Sequence, residues 1–241
     1  MSRLIEIPAS AKILGLSHGF FDDFNYYTTV HNGWTTVASD SGTIVGSDAA
    51  GGIIQLNPSD GTVADNDETY LKRTQETFLM AASKPIEAAA YLKFTEGNTD
   101  DANIFFGLKD AIAANTIVDN GGMATSFSGF GFYKKDGETQ WRIIASLSTT
   151  QTDVLLSAAN SLTKTGYTAG GSYQKLEVVF LPKNSTQADI EYLIDGVPVY
   201  KITDFVFTSA TEMQLGFGIK NGADTTVEAL LVDWVYAYQK R

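Results

Sequence analysis

The stretch with the most catalytic spelling is Gly15-Leu16-Ser17-His18-Gly19, which reproduces the G-x-S-x-G pattern of a nucleophile elbow. That device needs a strand before it, a helix after it, and an acid and a histidine later in the chain. Here the aromatic and acidic run Phe20-Phe21-Asp22-Asp23-Phe24 follows, and the only later histidine, His31, comes too soon for a fold to intervene. Serine hydrolysis is therefore not expected. Two histidines without further ligands do not make a metal site either. The chain has no cysteine, which excludes disulfides, thiolate catalysis and Cys-ligated metals.

Carboxylates offer more. Asp189, Glu191 and Asp195 share one face of an alternating segment, and side chains two apart on a strand lie ~7 Å from each other. Glycoside hydrolysis needs two such acids facing one cleft. Leu193 interrupts that face, however, and Asp195 belongs to a turn, so a solvent-facing hairpin over a core of Ile190, Tyr192 and Ile194 is expected. Asp65-Asn66-Asp67-Glu68 could hold Ca²⁺ through oxygen donors but lacks the spaced ligands and glycine of an EF-hand loop. It reads as a solvated turn, with Asp65 and Asp67 as candidate ligands. Asp233 stands in an otherwise apolar strand, where a carboxylate must be paired, capped or metal-bound. Tyr26, Tyr27, Trp34 and Trp141, if exposed, could stack on sugar rings. Gly129-Phe130-Gly131 runs into Phe132-Tyr133 and does not resemble a phosphate cradle.

The elements that must position these residues are strands. Glu228, Leu230, Val232, Trp234, Tyr236 and Tyr238 alternate with Val227, Ala229, Leu231, Asp233, Val235 and Ala237. A period of two with two largely apolar faces marks a central strand. The polar turn Asn221-Gly222-Ala223-Asp224 separates it from a similar run. Ile86 to Phe94 is alanine-rich, yet its alternation favours strand over helix. Asn103–Leu108, Gly129–Lys134, Trp141–Ser148, Tyr173–Leu181 and Ala188–Ile194 alternate as well, whereas Lys109 to Asn115 suits a short helix or loop. Asp195-Gly196 is a strong hairpin signal, because a type I′ turn needs positive φ at both central positions. The 22 glycines, 14 phenylalanines and 11 tyrosines fit many strands joined by tight turns. The 241 residues show no linker-like change of composition, so one all-β domain is expected: a two-sheet antiparallel sandwich of jelly-roll type over residues 20–241, preceded by an N-terminal arm over residues 1–19. The arm would either pair with a neighbouring chain or cover an edge.

The net charge of −11, without a Lys/Arg cluster longer than a pair, argues against nucleic acid as a partner. No apolar run reaches the ~18 residues of a membrane span. The N-terminal segment lacks the continuous apolar core and cleavage site of a signal peptide.

Tyr173-Gln174-Lys175-Leu176-Glu177-Val178, Glu191 to Val197 and Leu231 to Gln239 resemble the closing half of a concanavalin A-like lectin/glucanase sandwich. The three-acid strand signature of family-16 sugar enzymes (E-x-D-x-x-E) is missing. In some relatives the Asp of the last strand helps bind a structural Ca²⁺, and Asp233 matches that position. Asp22-Asp23-Phe24-Asn25-Tyr26-Tyr27, Asn66 to Tyr70, Asn98 to Ile104, Phe106 to Ala111 and Ser209 to Met213 are similar to leaderless sandwich proteins among the structural genes of tailed bacteriophages. That resemblance implies a non-enzymatic virion protein made in the host cytoplasm. Its expected partners are other capsid or tail proteins, further copies of itself and a surface glycan. A free carbohydrate-binding module and a glycoside hydrolase are the alternatives.

Overall fold

The computed structural model describes residues 17–25, 27–28, 33–48, 52–59, 64–97, 100–119, 121–208, 210–222 and 228–241. Sixteen strands and no helix are present among them: β1 Ser17–Asp22, β2 Trp34–Ala38, β3 Thr43–Asp48, β4 Ile53–Asn57, β5 Glu68–Arg73, β6 Phe78–Met80, β7 Ile86–Thr95, β8 Asn103–Lys109, β9 Gly129–Lys134, β10 Arg142–Leu147, β11 Thr150–Leu155, β12 Gln174–Pro182, β13 Gln187–Ile194, β14 Val197–Val206, β15 Thr211–Lys220 and β16 Ala229–Lys240. They form two antiparallel sheets. The first runs β14-β13-β12-β7-β16-β4-β3, with β1 also on β16; the second runs β11-β10-β9-β8-β15-β5-β2, with β6 also on β15.

The two closing strands, β15 and β16, go to opposite sheets and so are not hairpin partners. β16 is central, as its two apolar faces require. β7 lies along one side, while β4 and β1 share the other end to end. The alanines of β7 do not make a helix because both flanking strands supply ladders and large partners. Ala89 stands opposite Tyr236, and Ala90 opposite Val235. Lys109–Asn115 is a loop after its first residue, which ends β8. The Asp195-Gly196 turn has φ of 51° and 76°, as a type I′ hairpin demands. The expected arm gives up Ser17, His18 and Gly19 to β1, so the sheet begins earlier than residue 20. Those residues run straight into a strand, which removes the helix that a nucleophile elbow needs. The His18 ring instead meets the Thr77 carbonyl at 2.6 Å.

Between the sheets, aromatic rings interdigitate. Phe130 stacks on Phe180 at 5.5 Å, and Phe132 meets Tyr192 edge-on at 5.4 Å, with the Tyr192 hydroxyl donating to the Ile144 carbonyl. Burial of each such ring contributes roughly 1.5–3 kcal/mol. The Gln239 side chain bridges the sheets at one end: its amide accepts from the Leu79 N–H (3.0 Å) and donates to the Leu79 carbonyl (2.6 Å), imitating a strand partner for β6.

A buried charge cluster sits near the other ends of β7, β9 and β16. The Lys134 ammonium, without solvent access, binds the Glu96 carboxylate (2.9 Å) and the carbonyls of Asp100 and Ala102 (both 2.8 Å). Glu228 is fully buried, and neither carboxyl oxygen has a hydrogen-bond partner. Desolvation, reinforced by the charges of Glu96, Asp101 and Asp136 and only partly opposed by Lys134, pushes its pKa up to about 9. The folded chain therefore keeps a proton that the unfolded chain releases near ~4.3. Its contribution to stability is complete below that pH and falls as pH rises toward 9, by on the order of 1.4 kcal/mol per unit. Glu228→Gln should accordingly match the wild type in thermal melts near pH 4.5 and melt increasingly higher than it toward pH 9. A constant difference across that range would contradict the assignment.

Candidate functional site

The site is built around one irregularity in β16. Between Val232 and Trp234 the pairing with β7 slips, and Asp233 is the extra residue of a β-bulge. Because side chains alternate with a period of two, one extra residue exchanges the faces. Leu230 and Val232 point into the core before the bulge; Val235 and Ala237 do so after it. Trp234, Tyr236 and Tyr238 are thereby turned outward, away from the face that strict alternation with Leu230 and Val232 would give them.

On the outer side of the first sheet these rings form a ladder. Tyr173 stacks on Tyr91 at 5.0 Å, Tyr91 on Trp234 at 5.7 Å, and Trp234 on Tyr236 at 5.8 Å, with interplanar angles of 26°, 18° and 9°. Tyr238 continues the series at 5.5 Å from Tyr236, and Phe21, 55% exposed on β1, flanks Trp234 at 6.4 Å. Nearly parallel rings at such distances overlap with an offset, the favourable arrangement for aromatic quadrupoles. Polar groups border them. The Lys93 ammonium lies 4.8 Å over the Tyr173 ring, and Lys175 lies 6.0 Å from that of Tyr236 while pairing with Glu177. The Tyr236 hydroxyl donates to Glu87 at 2.6 Å, and burial together with that carboxylate raises its pKa. The result is an apolar strip with hydrogen-bonding margins.

Two of the aromatics first considered for sugar stacking lie elsewhere, because they are core. Trp141 is 0% exposed, donates its indole N–H to Gln174 at 2.8 Å and packs edge-on against Phe94. Trp34, 5% exposed, donates to Asp22 at 2.8 Å and is enclosed by Phe20, Phe24, Phe217 and the Arg73 guanidinium. Neither presents a ring face to solvent. Tyr27 packs edge-on against Phe24, and its hydroxyl is buried. Tyr26 lies outside the described residues. The period-two triplet of Trp234, Tyr236 and Tyr238 was the available signal for the ladder. Its direction was hidden because a bulge leaves no mark in the alternation.

The carboxylates also separate. Desolvation, reinforced by the charge of Asp23, raises the pKa of Asp233. Asp67 uses its carboxylate to accept the Ala64 N–H at 2.8 Å, closing the β4–β5 connection, while Asp65 stands in the turn. Asp65, Asp67 and Asp233 do not converge, and no group of three or more acidic or histidine side chains that could hold a metal exists among the described residues. Asp189 is bound by Lys183 (3.2 Å) and Lys201 (3.0 Å), Glu191 by Lys201 (3.0 Å), and Asp195 accepts the Lys175 N–H at 2.8 Å. These are ion pairs and a turn on the outer face of the β13–β14 hairpin, as alternation predicts.

The outer face of the second sheet is closed. Ile112, Ile117, Met123 and Phe127, from the segment between β8 and β9, cover Tyr70, Phe105, Tyr133 and Ile144. Lys220, buried in the sheet, anchors this cover through Asn115 (2.7 Å) and Asp119 (2.6 Å). Glu68 accepts the Asn115 N–H with both oxygens (2.9 and 3.1 Å).

Comparison with solved structures places this architecture. The carbohydrate recognition domain of Emp47p has 14% identity and a TM-score of 0.59, with 94% of this chain and 96% of that one covered. The endo-1,3-β-glucanase of Streptomyces sioyaensis has 12% identity and a TM-score of 0.57, with 93% and 96% covered. Peanut lectin has 13% identity and a TM-score of 0.56, with 92% and 97% covered. The chain is thus an all-β sandwich of the concanavalin A-like lectin/glucanase fold, a fold shared by lectins and glucanases. No protein-family model and no curated protein sequence matches it.

The ladder depends on glycine at position 19 of β1. A Cβ there would lie 2.4 Å from the Tyr238 ring and 2.3 Å from the Ala237 carbonyl oxygen. Gly19→Ala should displace β1 from β16 and cost ~1–3 kcal/mol, read as a lowered urea midpoint together with a changed near-ultraviolet tyrosine and tryptophan dichroism.

Proposed function

We propose that this chain is a non-enzymatic structural protein of a tailed-bacteriophage particle, which presents the outer face of its first sheet to a surface glycan. The aromatic ladder carries the glycan part of this reading. A sugar offers flat patches of C–H groups ringed by hydroxyls. Phe21 and the edges and offset faces of Tyr91, Trp234 and Tyr236 would meet the former, while the bordering Lys93 and Lys175 would meet the latter. Similarity in fold to the Emp47p carbohydrate recognition domain and to peanut lectin supports sugar binding as the class of activity. The virion setting rests on the sequence resemblance; of the residues that carry it, Asp22 accepts the Trp34 indole N–H and Asp67 accepts the Ala64 N–H.

A hydrolase reading would draw on Glu87 and Glu177, whose charges both reach Tyr236. Glu87 accepts the Tyr236 hydroxyl and Glu177 pairs with Lys175, and both carboxylates are buried. That commitment favours a binding role. The experiment is a glycan array probed with the intact chain and with Trp234→Ala. The expected outcome is binding to a defined set of glycans that weakens roughly tenfold or more, about 1.4 kcal/mol, in a variant with an unchanged far-ultraviolet spectrum. Absence of any bound glycan, or equal binding by the variant, would overturn the glycan assignment. Failure to find the chain by mass spectrometry in purified particles would overturn the virion assignment.

A further inference from the structure

The aromatic strip has two electrostatically unlike ends. At one of them Glu87 accepts the Tyr236 hydroxyl at 2.6 Å, and Glu177 pairs with Lys175. Lys93 stands at the other. By alternation the face of β7 that carries Tyr91 also carries Glu87 and Lys93. Those two are six residues apart, about 20 Å in an extended strand.

The surroundings of Lys93 are aromatic. The β7–β12 ladder pairs Tyr91 with Lys175 and Leu92 with Gln174, so its next step brings Tyr173 beside Lys93. The Lys93 ammonium lies 4.8 Å over the Tyr173 ring, and it enters no ion pair among the described residues. On the other side Lys93 stands opposite Leu231 of β16, while the bulged Asp233 further along is coupled to Asp23. A cation seated on a ring face is attracted by the quadrupole and held there, so its charge is already placed beside the ladder. Rings stacked as Tyr173 and Tyr91 are, at 5.0 Å, leave chiefly their edges to a ligand. An aromatic edge carries the positive end of the quadrupole. Ammonium and ring edges thus favour the same kind of group, an electron-rich oxygen.

We propose that the glycan is anionic: a carboxylate-bearing sugar lies across Tyr91 and Tyr173 with its acid group on the Lys93 ammonium. This deepens the glycan reading of the ladder and rests on it. A chain of net charge −11 repels such a ligand at long range. At physiological salt, however, that repulsion is screened beyond ~8 Å. Glu87 lies well outside this distance from Lys93, and the charge of Glu177 is met by Lys175. The acid group therefore enters a locally positive site.

An array that carries carboxylate-bearing glycans beside neutral ones tests this with the full chain. The acidic glycans should be retained, and methyl esterification of the strongest should weaken it roughly threefold to fivefold, as for an exposed ion pair. Lys93→Gln should lose the same factor on the free acid and nothing on the ester. Lys93→Arg, which keeps the charge, should bind the acid as the wild type does. Trp234→Ala should weaken acid and ester alike. Retention of neutral glycans alone, or undiminished binding of the acid by Lys93→Gln, would overturn the anionic assignment and leave the ladder a site for neutral sugars. An array without any retained glycan would overturn the ladder reading itself, and this inference with it.

Discussion

One extra residue in a central strand governs what this protein can show to the outside. β16 is paired along both sides, so its side chains can only point inward or outward, and the bulge at Asp233 decides which do which. Without it, Trp234, Tyr236 and Tyr238 would continue the core face begun by Leu230 and Val232. With it, Val235 and Ala237 fill the interior, and three large amphipathic rings join Tyr91, Tyr173 and Phe21 on the surface. Small inward residues opposite β7 alanines and large outward rings are one arrangement viewed from two sides. The bulge also lies where β4 gives way to β1 along β16, so a change of neighbour coincides with the change of face. Asp233 tolerates that position because the bulge lifts it from the apolar interior toward partial exposure.

The two outer faces of the sandwich are used oppositely. The second sheet is roofed by an apolar cover fixed through Lys220, Glu68 and Asn115, a buried polar network that holds only if every member is satisfied. The first sheet lacks a counterpart among the described residues, and its aromatic strip is where a ligand could meet apolar surface at modest desolvation cost.

Much of this architecture was legible in the sequence, since period-two alternation, Gly-rich turns and the Asp195-Gly196 hairpin report directly on pleated strands. Even the alanine-rich β7 followed its alternation and not its helix propensity. What alternation does not encode is a break in register, so the face carrying the ladder could not be read from it. Nor does it encode which strands share a sheet: β15 and β16 follow one another in the chain and lie in opposite sheets. Trp34 and Trp141 show the third limit. An indole is equally at home in a core, with its N–H satisfied by Asp22 or Gln174, and on a sugar-binding surface. The carboxylates were more predictable. Residues with a period-two face and a lysine opposite, such as Asp189 and Glu191, behaved as a solvated hairpin.

The central claim is that the outward ladder is the binding surface, and tryptophan fluorescence reads it directly. Of the three tryptophans, Trp34 and Trp141 are buried, so Trp234 is the one available to a soluble quencher. Acrylamide quenching should therefore be measured with and without a purified bacterial surface polysaccharide that the chain binds. The account predicts that saturation shields Trp234, lowering the quenching constant and shifting emission to the blue. Bound polysaccharide with undiminished quenching would place the sugar elsewhere on the molecule and contradict it.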